Sequence, residues 1–99
     1  MEKYALLGQV QAKPGKEAQV EAFLKSAVRL AEAEPGTVAW YAVKLGGGRF
    51  GIFDTFADEA GRDAHLNGEI AKALMANAKD LLVTDPQIDK LEILGQKKN

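Results

Sequence analysis

The chain carries a single histidine, His65, and no cysteine. Imidazole is the one side chain whose ordinary pKa suits proton transfer at neutral pH. Upstream of it, residues 50–56 (FGIFDTF) are β-branched and aromatic apart from Gly51 and one carboxylate, Asp54. A carboxylate beside an imidazole orients the ring and supports its charge, which makes His65 and Asp54 the candidate catalytic pair for general acid–base work. Residues 50–56 read as a strand. Asp58 then stands where a helix N-cap belongs, Glu59 follows in the first turn, and Asn67-Gly68 ends the helix. If that helix folds back over its strand, the rise from Asp58 to His65 is about 10 Å, the span of roughly three strand residues. His65 is therefore expected over the sheet near Phe53 and Asp54, a titratable group above an aromatic floor.

Each candidate has a second reading. His65 near a helix end can be structural or exposed, and Asp54 helps it only if both lie on the helix side of the sheet. The parity of the strand leaves that face open. Arg62 lies one turn before His65 and shares its helix face, so it either contacts substrate or forms an i,i+4 pair with Asp58. Trp40, Phe53 and Phe56, with Leu74 and Met75 further on, are candidates to line a substrate pocket or to fill the core or an interface. No Ser-His-Asp spacing or acidic metal cluster is visible, so no metal site is expected. Gly46-Gly47-Gly48 joins two strands and no helix follows it, which excludes a phosphate loop.

The elements that must position these residues follow from periodicity. The length, 99 residues, implies one domain over 1–99. Lysine and arginine number 13 against 14 acids, so no basic stripe exists for nucleic acid or an anionic membrane. No stretch has the make-up of a signal peptide or a membrane span, and a cytoplasmic location is the default expectation. Strands are expected over 4–12, 37–45, 50–56 and 88–94. Helices are expected over 16–34, 58–66 and 69–82, the first carrying Val20, Leu24, Ala27 and Ala31 at helical spacing. This order of two split β-α-β units predicts an α+β, ferredoxin-like sheet with its helices on one face. The two middle strands are apolar on both faces, while Gln9, Gln11, Lys90 and Glu92 are expected to keep part of one face polar. Helices can cover only one side, so a second copy is expected against the other, making a homodimer.

EPG at 34–36, GIFDTF at 51–56, DEAGRDAHLNG at 58–68 and IAKALM at 70–75 resemble the antibiotic biosynthesis monooxygenase superfamily, and within it the quinol monooxygenase branch. The resemblance covers nearly the whole chain. It implies a dimeric α+β barrel of two ferredoxin-like sheets back to back, and oxygenation of quinols or anthrones by dioxygen without metal or flavin. Haem-degrading members resemble one another in a first-strand asparagine, a tryptophan near the helix after the third strand, and a final-helix histidine. Here the first asparagine is Asn67, the only tryptophan is Trp40, and no histidine follows His65, which leaves haem degradation a weak alternative.

The expected function is thus a cofactor-independent monooxygenase acting on a small electron-rich aromatic and dioxygen. The alternative is a non-catalytic dimer that binds a small hydrophobic ligand. Taken as half-exposed, His65 is expected to tolerate replacement by alanine without loss of folding.

Overall fold

The computed structural model describes residues 2–99 and has the element order β1 (Tyr4–Gln11), α1 (Glu17–Glu32), β2 (Thr37–Gly46), β3 (Arg49–Phe56), α2 (Glu59–Leu66), α3 (Glu69–Leu81) and β4 (Gln87–Glu92). The four strands form one antiparallel sheet in the order β2-β3-β1-β4. This is the ferredoxin-like arrangement read from the sequence.

Local chemistry sets the boundaries. Val20, Leu24, Ala27 and Ala31 form the buried stripe of α1, and Pro35-Gly36 ends the run, since proline cannot continue a helix. The β2–β3 hairpin turns through Gly46, Gly47 and Gly48, all at positive φ, a region open to glycine at no steric cost. Two expected boundaries shift by two residues and several others by one. The first helix stops at Glu32 rather than residue 34, and β4 stops at Glu92 rather than residue 94. Past the Ile93 N–H, which bonds the Lys3 carbonyl, Leu94 is 88% exposed and has no ladder partner.

The register assigns the faces. Residues directly opposite one another share a side of the sheet, so Leu6, Asp54 and Trp40 form one row and Gly8, Ile52 and Ala42 the next. These rows face the helices. Val10, Phe50 and Ile52 pack there with Val20 and Leu24 of α1 and Ala78 of α3 as the main core, and Trp40 bridges it to a second cluster of Ala27, Ala31 and Ile70. The other face carries Leu7, Phe53 and Tyr41 in one row, with Val43 beside Gly51 in the next. Tyr41 is 59% and Val43 45% exposed there, an apolar strip without cover from this chain.

The expectation of one partly polar face needs correction. Gln9 and Gln11 do lie on the uncovered face, but Lys90 and Glu92 pair opposite Leu6 and Tyr4 on the helix side. They remain exposed because β4 is the edge strand and the helices stop short of it. No helix among the described residues is long and apolar enough to cross a membrane.

Candidate functional site

Three segments converge on His65. The first is its own helix. Asp58 caps α2 in extended backbone, its Oδ1 accepting the Gly61 N–H at 2.7 Å, as the sequence suggests for an aspartate at that position. The second is the turn after α1. Gly36 and Gly61 meet backbone to backbone: a Cβ on Gly36 would stand 2.7 Å from the Gly61 Cα. The Gly36 carbonyl also accepts the Ala57 N–H at 3.2 Å. This glycine-on-glycine contact draws the turn, and with it Glu34, against α2. The third is β3, whose helix-facing row presents Asp54.

Together they grip the imidazole from both sides. Nδ1 lies 2.6 Å from Glu34 Oε1, and Nε2 lies 2.9 Å from Asp54 Oδ2. Thr37 donates its hydroxyl to the same Glu34 Oε1 at 2.7 Å, which fixes that carboxylate. The Phe56 ring lies 5.3 Å from the imidazole, centroid to centroid. His65 is 7% exposed and Asp54 1%. An ionised carboxylate only accepts, so serving two of them requires a proton on each ring nitrogen. Burial opposes that charge, but the hydrogen bonds and charges of Asp54 and Glu34 outweigh it and hold the His65 pKa above its ordinary value. The imidazolium is favoured, and neither nitrogen keeps a free lone pair.

Beside this cluster the helical layer and the sheet line a partly open cavity of about 40 Å³. Asp54 and His65 form its polar wall. Leu6, Ile52, Ile70 and Leu74 are among the apolar ones, and Ile88, 43% exposed, is its most open lining residue. Asp54 Oδ1 is buried and has no hydrogen-bond partner among the described residues. A sealed carboxylate oxygen without a donor is costly, and such atoms call for an explanation.

The candidate residues divide by where the fold puts them. His65, Asp54 and Leu74 border the cavity and Phe56 flanks the imidazole. The aromatic floor is therefore Phe56 and not Phe53, which strand parity turns to the uncovered face. Trp40 lines no part of this cavity; from β2 it packs against both core clusters, with its Nε1 also buried and bonded to none of the described residues. Met75 is 52% exposed and does not reach the cavity either. Arg62 follows neither expected course. Its Nη1 donates to the carbonyls of Ala5 and Leu91, at 3.5 and 3.2 Å, and its guanidinium lies over the Tyr4 ring. Arg62 thus ties α2 to β1 and β4.

Glu34 was not among the candidates, since Glu-Pro-Gly reads first as a helix stop. One signal was available: acids at a helix C-terminus work against the macrodipole, so a glutamate there asks for a second reason. That reason is the imidazole. Glu34 and Asp54 bind opposite nitrogens, and among the described residues no three metal-ligating side chains converge as a metal site.

The sequence profile of the family described as antibiotic biosynthesis monooxygenase matches residues 3–77. The chain belongs to the antibiotic biosynthesis monooxygenase family. It is similar to the crystal structure of a protein of unknown function from Nitrosomonas europaea, at 57% identity over 100% of this chain and 96% of that one, with a TM-score of 0.96. A Pseudomonas aeruginosa protein, 23% identical over 96% and 97% of the two chains, superposes with a TM-score of 0.81. A Mycobacterium tuberculosis protein, 18% identical over 96% and 98%, gives 0.83. At those identities the last two are alike in fold alone. No curated protein matches the chain. The ferredoxin-like α+β fold of this family member therefore agrees with the sequence reading, and family membership places the chain among the antibiotic biosynthesis monooxygenases.

Proposed function

We propose that this protein is a cofactor-independent monooxygenase that oxidises a small, electron-rich aromatic of the quinol or anthrone type with dioxygen, working as a homodimer. Family membership supplies the reaction class. The observation that carries the substrate class is Asp54, which lines an apolar cavity while its Oδ1 is bonded to none of the described residues. A lone acceptor in apolar surroundings suits a ligand with an acidic proton on a hydrophobic body. Once deprotonated, a quinol or anthrone is electron-rich enough to reduce dioxygen itself. The protein then needs to supply only a proton acceptor and a dry site.

The cavity admits a water or a dioxygen molecule, and is far below the roughly 300–1,000 Å³ of a drug-sized ligand pocket. Binding an aromatic ring therefore requires α2 and α3 to part from the β1–β4 side of the sheet, where Ile88 already leaves the wall open. The dimer rests on the apolar strip of Tyr41, Val43, Phe53 and Leu7, which a second copy of the sheet would cover. Oxygen uptake with a panel of hydroquinones and anthrones tests the activity. Uptake matched by product supports it. A shift in ligand fluorescence without oxygen use would instead mark a binding module.

A further inference from the structure

Resting on that reading, we propose that Asp54 Oδ1, and not His65, takes the substrate proton, and that Glu34 and His65 are positioning residues that keep Asp54 charged and aimed. The geometry separates the roles. Both imidazole nitrogens are engaged, Nδ1 by Glu34 and Nε2 by Asp54 Oδ2. A substrate could reach a nitrogen lone pair only after the cluster came apart. Asp54 spends Oδ2 on the imidazole and leaves Oδ1 buried. Of the two carboxylates in the cluster only Asp54 borders the cavity, and its Oδ1 accepts no hydrogen bond from the described residues.

The charges are arranged for this task. Asp54 is 1% exposed, and an ionised carboxylate there needs a compensating cation. His65 supplies it. Glu34 in turn holds the imidazolium from the far side and is itself fixed by Thr37. Glu34 Oε2 lies 3.1 Å from where a Cβ on Gly68 would stand, beside the first turn of α3, an electrostatically favourable place for a carboxylate. Among the described residues no other charge is bonded to the imidazole. Arg62, on the same helix, is turned to the Ala5 and Leu91 carbonyls, and α3 and β1 face the cavity with apolar side chains.

The step balances. The substrate O–H (or acidic C–H) bond breaks, Oδ1 gains the proton, and the electron pair stays on the substrate. The substrate then reduces dioxygen; one oxygen atom enters the product and the other leaves as water with the two hydrogens the substrate lost. Asp54 returns its proton to that water. A further consequence concerns release. The enol of an anthrone carries the donor that Oδ1 requires and the anthraquinone formed from it does not, so for that substrate the same atom favours substrate over product.

The assignment predicts the sign of the pH dependence. With Asp54 as base and His65 as its cation, kcat/KM falls on the alkaline side as His65 loses its proton, and Glu34→Gln moves that limb to lower pH. With His65 as base, activity would instead rise as His65 deprotonates, and Glu34→Gln would extend activity to lower pH. NMR of the single imidazole assigns the limb without ambiguity, since its titration midpoint should move down in Glu34→Gln together with the limb. An acid limb that tracks the imidazole overturns the proposal.

A binding measurement keeps the assignment separate from the oxygenase reading. 1-Naphthol should bind by calorimetry at least about 10-fold more tightly than its methyl ether, the usual scale for a hydrogen bond to a charged group. Asp54→Asn should shrink that ratio. Preferential naphthol binding without turnover of any panel member would leave Asp54 as the proton acceptor and remove the oxygenase reading. Equal affinities, or no binding of either compound, would overturn the role given to Asp54.

Discussion

At the scale of single residues, the account turns on a histidine that cannot be removed cheaply. His65→Ala leaves Glu34 and Asp54 facing each other across a buried space with no cation between them. Breaking a buried pair costs about 3–5 kcal/mol, a large part of the roughly 5–15 kcal/mol of a typical small domain. The expectation that folding survives this change rested on a half-exposed ring, and the ring is 7% exposed. Chemical denaturation of His65→Ala should show that loss, and a change under about 1 kcal/mol would contradict the buried cluster. The same cluster sets a pH dependence of stability. The folded His65 pKa lies above the unfolded value near 6.5, so its contribution is complete below about pH 6.5 and fades as pH rises through the folded value. Urea midpoints followed from neutral into alkaline solution should fall through that window, and by less in Asp54→Asn.

Between elements, the site depends on how closely two loops approach. Gly36 and Gly61 touch at the backbone, and that contact sets the distance from Glu34 to His65. Gly61→Ala should push the turn off α2, destabilise the fold by about 1–3 kcal/mol as overpacking does, and lower the His65 titration midpoint by loosening Glu34. An unchanged midpoint would separate the glycine contact from the site. This contact marks the limit of what could be read in advance. The helix that carries His65 was legible because its punctuation is local: Asp58 caps it and Asn67 ends it. Asp54 was legible as a candidate but its face was not, since parity fixes alternation and not direction until the partner strands are known. Glu34, remote in sequence, reaches His65 only through the Gly36–Gly61 approach, and no spacing rule encodes that. Phe53 and Phe56 show the same limit within one strand. They stand at odd separation, so only one can face the imidazole, and the tertiary fold selects Phe56.

For the whole molecule, the question is what covers the sheet. Val43 lies on the face away from the helices and Ala42 on the face toward them, so Val43→Asp is the substitution that tests a partner there. In a dimer joined through that face it should yield monomers by light scattering at micromolar concentration, because a charge would be buried against an apolar strip. A wild-type protein that scatters as a monomer would contradict the dimer outright. The fold-level reading was the most secure from sequence because strand alternation, helix periodicity and turn residues all point to one βαββααβ order. The cavity was the least secure. It is assembled from β1, β3, α2, α3 and the approach to β4, and of its lining only Asp54, His65 and Leu74 were among the candidates. An apolar residue bordering a cavity has the same sequence signature as one buried in the core.

The buried carboxylate and the oxygen chemistry meet in a single experiment. Oxygen uptake should be recorded with the hydroquinone and anthrone panel for the wild type and for Asp54→Asn, the variant's folding being confirmed by its circular dichroism and cooperative melting. Uptake in proportion to oxidised product is expected for the wild type, and a loss of roughly 10²–10⁴-fold in the folded variant, the usual range for removing a general base. Uptake by folded Asp54→Asn at the wild-type rate would contradict that role of Asp54.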